Sequence, residues 1–244
     1  MSYGYIRVAA VTPDTVVADT KANSESIVKW AVKAAEAGAQ IIVFPELSIT
    51  GYTCGELFFQ DTLLKGALEG LRYIAESTKS LDAVIFAGLP LMYKGHLRNA
   101  ACAINHGKIS GFVPKMHLPN YSEFYEARYF KEGPGDVEYI DLPNGKCPIG
   151  SRIIFSCESI PGVTIAAEIC EDLWVPDSPS TEASMAGANI IVNLSASDEL
   201  TGKAAYRRQL VSMQSAKCYV SYIYSNAGIG ESTQDVVYPG GGII

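Results

Sequence analysis

The 244-residue chain has no long hydrophobic run. No apolar stretch reaches the ~18 residues that a membrane helix requires, so a membrane span is not expected. The opening MSYGYIRVAAV has one arginine and no extended apolar region, and nothing in it supports a secretory leader. Basic charge is also scarce: 19 Lys and Arg stand against 26 Asp and Glu, a net charge of −7. That balance argues against a nucleic-acid-binding surface. There are three histidines, His96, His106 and His117, and they do not cluster with the six cysteines. None of Cys54, Cys102, Cys147, Cys157, Cys170 and Cys218 forms a CxxC pair, so neither a metal site nor a thioredoxin-like motif is expected. With no leader, the thiols read as reduced and the chain as cytoplasmic. The phosphate-binding patterns GxxxxGKS and GxGxxG are missing too, which leaves no nucleotide loop.

What is present is an ordinary globular composition, 48% hydrophobic and 18% charged. Residues 5–11 read as a short strand. Ile27, Trp30, Ala31, Ala34 and Ala35 recur at helical spacing before Gly38. AQIIVFPE (39–46) is a continuous apolar run, the signature of a strand covered on both faces. Helices are expected over 60–80, 180–187 and 203–217, and strands over 82–93, 163–170, 188–197 and 218–227. Residues 98–115 read as a hairpin turning at His106-Gly107. Residues 120–128 read as loop or short helix, and the Gly/Pro-rich 133–150 as punctuation. VVYPGGGII looks like a hairpin cut before or within its second strand, suggesting a fragment of something longer. With no linker, residues 1–244 read as one α/β domain with a mixed sheet or two sheets.

Three reactive side chains end apolar strands: Glu46 in IIVFPE, Lys115 in GKISGFVPK and Cys170 in VTIAAEIC. In open α/β sheets, functional groups collect beyond strand ends. Their chemistry is complementary. A thiol needs a base or a positive neighbour, a carboxylate can be that base, and a lysine can stabilise an oxyanion. Together they suit acyl transfer from an amide through a thioester. Taken singly, each has a plainer reading: a buried thiol, a helix-capping acid, a solvated lysine. The acids on both sides of Cys170 in AEICEDLW are not what a purely structural core cysteine needs. Cys102 and Cys218 read as core, and Cys54 as an unreactive neighbour of Glu46.

FPELSITGYT (44–53), VPKMHLPNY (113–121) and AAEICEDLW (166–174) resemble, in order, the three signatures of the nitrilase superfamily of carbon–nitrogen hydrolases. LPNYSEFYEARYFKEG (118–133) and NLSASDELTGK (193–203) resemble more narrowly the glutaminase domain of glutamine-dependent NAD synthetases. The resemblance implies a four-layer αββα sandwich, here lacking its C-terminal strands. It implies Cys170 as nucleophile, Glu46 as general base, and Lys115 with the Glu171 N–H as oxyanion donors. Glu126 matches a second acid, with Glu123 as an open alternative. Tyr52 and Tyr121 match aromatic positions around a glutamine pocket. Ser197 and Lys203 match the binder of the α-carboxylate, with Glu171 facing the α-ammonium. The implied partners are L-glutamine, a synthetase domain and a second copy of the chain in a homo-oligomer. No cofactor is expected in this domain; ATP, Mg and deamido-NAD would belong to the synthetase domain. Two other readings are a stand-alone amidase or nitrilase of the same superfamily, and a non-catalytic docking domain. The intact Glu46, Lys115 and Cys170 count against the second.

Overall fold

In the computed structural model, residues 4–143 and 145–244 are described. The first three residues of the stretch read for a leader, and Asn144 of the Gly/Pro-rich section, lie outside them. Strand β1 (Val8–Ala10) leads to helix α1 (Thr20–Glu36), β2 (Ile41–Val43), a 3-10 helix (Gly55–Phe59) and α2 (Asp61–Ser77). Three long strands follow, β3 (Val84–Tyr93), β4 (His96–Asn105) and β5 (Lys108–Pro114), and then a 3-10 turn (Glu126–Arg128). Next come β6 (Glu138–Leu142), β7 (Gly145–Ile149), β8 (Phe155–Ser156), β9 (Thr164–Ile169) and a 3-10 turn (Cys170–Leu173). The chain continues through α3 (Pro179–Met185), β10 (Ile190–Ser195), α4 (Lys203–Cys218), β11 (Ser221–Asn226) and β12 (Gly242–Ile243).

Strand alternation builds the layers. One sheet has the order β1-β2-β3-β4-β5-β7-β6 and the other β12-β11-β10-β9-β8. Ile42, Ile85, Ala87, Leu89, Ala100 and Cys102 turn toward α1 and α2. Their neighbours Ile41, Val43, Phe86, Ala101 and Ala103 turn the other way and meet Ile165, Ala167, Ile190, Val192 and Ile223 of the second sheet. Ala166, Ile191, Tyr222 and Tyr224 cover the far face beneath α3 and α4, where Val211 packs on them. Successive side chains of a strand point to opposite faces, so β2 and β3 are apolar throughout because both faces are covered, while β9 and β10 are buried on both faces but carry Glu168, Asn193 and Ser195 among their apolar residues. This is the αββα sandwich expected from the resemblance. Helix α1 begins where the Asp19 side chain accepts the Ala22 N–H at 2.9 Å, and the left-handed Gly38 follows its end.

The structure adds three features that differ from the sequence reading. Residues 82–93 do not stand alone: β3 pairs antiparallel with β4 across the turn at Lys94-Gly95, from Tyr93↔His96 to Val84↔Asn105. The Gly/Pro-rich section is itself a hairpin, β6 with β7, joined to the first sheet at Phe112↔Ile149. Pro148 and the short strands hid its alternation. Residues 236–238 stay in loop, and it is Gly242–Ile243 that return to pair antiparallel with β11. Among the described residues, no helix is long and apolar enough to cross a membrane.

Candidate active site

The strand ends bring Glu46, Lys115 and Cys170 to one buried place. Lys115 directly follows β5 and is wholly buried; its Nζ donates to Glu46 Oε1 at 2.7 Å and to Glu126 Oε1 at 2.6 Å. Glu46 is also wholly buried. Its Oε1 accepts from Asn99 Nδ2 at 2.6 Å, and its Oε2 accepts the Ala196 N–H at 2.9 Å. The loop carrying Glu46 can lie this close to β3 because residue 88 is glycine. A Cβ there would sit 2.3 Å from the Leu47 nitrogen. Of the two candidate second acids, Glu126 is the one that reaches Lys115, while Glu123 lines the open cavities outside. The Tyr52 hydroxyl donates to Glu126 Oε1 at 2.7 Å, but Glu126 Oε2 is buried with no hydrogen-bond partner among the described residues.

Electrostatics separates the members of this cluster. Taking charges out of water is costly unless they are paired and bonded. Burial is the largest influence on Lys115 and opposes its charge. The carboxylates of Glu126 and Glu46 nevertheless outweigh it and hold the ammonium well above its usual range. Burial pushes Glu126 up to about 7, with Lys115 opposing the rise. Burial, then the charge of Glu46, raises the Cys170 thiol; Lys115 pulls the other way. Burial and Glu46 thus favour the thiol over the thiolate, and Lys115 favours the thiolate.

Cys170 starts a 3-10 turn at the end of β9 with φ 44°, in the left-handed region. A non-glycine residue there carries strain of order 1–3 kcal/mol and persists only when its surroundings enforce it. Here the enforcement is visible. The Cys170 N–H donates to Asn193 Oδ1 at 3.2 Å. The Asp172 carboxylate accepts the Ile169 N–H at 3.1 Å and the His117 N–H at 2.9 Å, tying the turn to the segment after Lys115. Glu171 follows in the first turn, where backbone N–H groups lack helical partners.

Of the remaining sequence-predicted residues, Tyr52, Tyr121 and Lys203 line open cavities, while Ser197 is buried. The Tyr121 hydroxyl donates to both Glu171 carboxylate oxygens at 3.0 Å. Lys203, the first residue of α4, pairs with Asp198 and lies 5.4 Å over the Trp174 ring and 5.5 Å over Phe124. Ser197 is buried, its backbone bonded at both ends to the Asn226 side chain. Two cavities of about 480 Å³ open here. One is lined by Tyr52, Phe58, Glu126 and Tyr238, and the other by Tyr121, Trp174, Lys203 and Tyr206. Residues 122–124 line both. Cys54 is bonded to the Thr50 and Gly51 carbonyls and packs in a separate apolar cluster, while Cys102 is core and Cys218 is partly buried against α3.

Sequence reasoning missed Asn99, Asn193, Asp172 and Glu231. Glu231 is buried and holds Tyr52 in place by accepting its N–H at 2.7 Å, along with the Thr53 hydroxyl at 2.9 Å. The RNAA and IIVNLS strands did contain a signal. A polar amide inside a run buried on both faces must have partners, and Asn99 and Asn193 sit in such runs.

The class of protein to which this two-sheet sandwich belongs is the carbon–nitrogen hydrolase family. The profile of that family matches residues 7–242, and the chain belongs to it. More particular likenesses follow. Over 238 residues the chain is 38% identical to the glutamine-dependent NAD(+) synthetase of Mycobacterium tuberculosis H37Rv, covering 98% of this chain and 35% of that protein. The crystal structure of a glutamine-dependent NAD(+) synthetase from Cytophaga hutchinsonii superposes with a TM-score of 0.85 at 29% identity, over 96% of this chain and 37% of that one. An amidase from Nesterenkonia sp. shares the fold, with a TM-score of 0.75 at 19% identity, over 98% of this chain and 81% of that one. The chain thus spans about a third of the length of the curated relatives it matches.

Proposed function

We propose that this chain is the glutamine-hydrolysing domain of a glutamine-dependent NAD synthetase, with Cys170, Glu46 and Lys115 as its catalytic residues. The observation that carries the reading is the buried Lys115 bridging Glu46 and Glu126 at hydrogen-bond distance next to the strained turn of Cys170. The sequence identity to NAD synthetases over nearly the whole chain supports the choice of substrate.

The chemistry follows from the donors. Glu46 takes the Cys170 thiol proton as sulfur attacks the side-chain amide carbon of glutamine. Lys115 Nζ and the Glu171 N–H receive the oxyanion. The carbon–nitrogen bond then breaks, with Glu46 passing its proton to the leaving nitrogen, so ammonia departs and a thioester remains. Water, deprotonated by Glu46, attacks the thioester; glutamate leaves and Cys170 regains its proton. This route needs no preformed thiolate, in keeping with the upward push on the thiol.

Glutamine is zwitterionic. Its α-ammonium is assigned to Glu171 and its α-carboxylate to Lys203 and Ser197, between Tyr52 and Tyr121. Charge-assisted bonds of this kind are the strong ones. Lys203 already pairs with Asp198, so the substrate carboxylate shares that ammonium. The ammonia is used on a separate synthetase domain to amidate deamido-NAD. ATP and magnesium belong to that domain and none of these cofactors to this one. A cytoplasmic location and self-association complete the proposal.

The test is product analysis. The purified chain should release ammonia and glutamate from glutamine in equal amounts, with simple aliphatic amides turned over far more slowly. Equal or better turnover of simple amides would instead identify a general amidase.

A further inference from the structure

The acid two residues before Cys170 takes no part in the mechanism above, yet it is buried and bonded. Strand alternation turns Glu168 away from the inter-sheet core, and register sets it opposite Asn193 of β10. Glu168 Oε2 accepts the Ser180 N–H at 2.8 Å, and Oε1 accepts the Tyr222 hydroxyl. The Tyr222 oxygen in turn accepts Asn193 Nδ2 at 2.9 Å. Asn193 Oδ1 accepts the Cys170 N–H at 3.2 Å and the Ser195 hydroxyl at 2.7 Å. Glu168, Ser180, Tyr222, Asn193, Ser195 and Cys170 are all buried.

The polarity of this chain of bonds runs one way. A backbone N–H only donates, so the Asn193 amide must turn its oxygen to Cys170 and its NH2 to Tyr222. Tyr222 has a single proton and must give it elsewhere; the carboxylate takes it. Ser180 claims the other carboxylate oxygen. We propose that Glu168 is a positioning residue for the nucleophile. Through Tyr222 it fixes the Asn193 amide, whose oxygen holds the Cys170 N–H and with it the left-handed backbone that aims the thiol. This rests on the reading of Cys170 as nucleophile.

Glutamine at 168 reverses the polarity. Ser180 N–H demands the amide oxygen, so the new NH2 faces Tyr222. Tyr222 must then accept there and turn its proton on Asn193. Asn193 either meets donor with donor or flips and offers NH2 to the Cys170 N–H. Buried networks left half-satisfied in this way are costly. Phenylalanine at 222 removes the relay, and Asn193 is then oriented by Cys170 and Ser195 alone. A carboxylate that merely supports the fold predicts that the two substitutions add. The polarity argument predicts that the second recovers most of what the first lost, leaving only the smaller cost of the cut relay.

The experiment compares wild type, Glu168→Gln, Tyr222→Phe and the double variant at about pH 8, above the pKa of about 7 to which burial raises Glu168. The readouts are the rate of Cys170 alkylation by 6-diazo-5-oxo-norleucine, followed by mass, together with kcat and KM for glutamine. Glu168→Gln should slow alkylation and kcat by at least about tenfold, with KM within about twofold. Tyr222→Phe, which cuts the relay without setting donor against donor, should cost about threefold, and the double variant should match Tyr222→Phe. A double variant as slow as Glu168→Gln overturns the inference, as does Glu168→Gln reacting at the wild-type rate. If Glu168→Gln does not fold, the double variant against Tyr222→Phe decides. Equal rates are expected, and a further loss of about tenfold overturns the proposal. Failure of wild type itself to label at Cys170 removes the underlying nucleophile reading, a result distinct from failure of the positioning role alone.

Discussion

Two fully buried regions lie side by side in this molecule and are held by different physics. Between the sheets, Ile41, Val43, Phe86, Ile165, Val192 and Ile223 meet with no polar atom in their side chains. At the strand ends, Glu46, Lys115, Glu126 and Asn99 are just as buried but are joined by bonds of 2.6–2.7 Å. Apolar packing is non-directional and roughly proportional to area. The polar cluster is directional, and an unpaired member is expensive. Damage to the first region should therefore appear as lost stability, and damage to the second as lost chemistry before lost fold.

Cys170→Ala gives the sharpest form of this contrast. It should lower glutamine turnover by at least about 10⁴-fold, since removing a nucleophile that acts as part of a unit costs on this scale. Thermal unfolding should shift little. Glu46→Gln keeps the shape of the base and one of its two acceptor oxygens but cannot take the thiol proton, and should cost roughly 10²–10⁴-fold in kcat. Lys115→Met crosses the boundary between the regions. It leaves two carboxylates buried without their cation, and should lose about 3–5 kcal/mol of stability in denaturant titration as well as activity. Ile223→Ala, on the apolar side, should cost about 2–5 kcal/mol while kcat per folded molecule stays unchanged. Turnover lost in Ile223→Ala without destabilisation would break the comparison.

The smallest effect concerns pH. Burial raises Glu126 to about 7, so the native state binds its proton more tightly than the unfolded chain does. The resulting stability is present below the unfolded carboxyl pKa near ~4.3 and is lost as pH rises through about 7. Glu126→Gln removes that dependence. Melting wild type and variant at about pH 5 and about pH 8 should show wild type losing more stability between the two, by of order 1–3 kcal/mol. Equal losses would mean that Glu126 does not hold its proton in the fold.

Much of this was legible in the sequence, for identifiable reasons. Glu46, Lys115 and Cys170 each close an apolar strand, and strand ends of an α/β sheet converge. Helix α1 announced itself by the spacing of Ile27, Ala31 and Ala34. The hairpin of β6 and β7 was hidden because Pro148 and the flanking glycines imitate a loop. Long-range partners were less legible still. Asn99 meets Glu46 across 53 positions, and Ala196 meets it across 150. Local pattern carries no record of such pairings. Glu168 lies between these extremes: its place in AEIC marks it as unusual, but only register shows what it touches.

The central claim is that Cys170 is a nucleophile in a pocket built for glutamine. The direct test is to incubate the folded chain with 6-diazo-5-oxo-norleucine, with and without excess glutamine, and to locate the adduct by peptide mass. One adduct on Cys170, suppressed by glutamine, is the predicted result. An adduct on another cysteine, or Cys170 labelling indifferent to glutamine, would contradict the account.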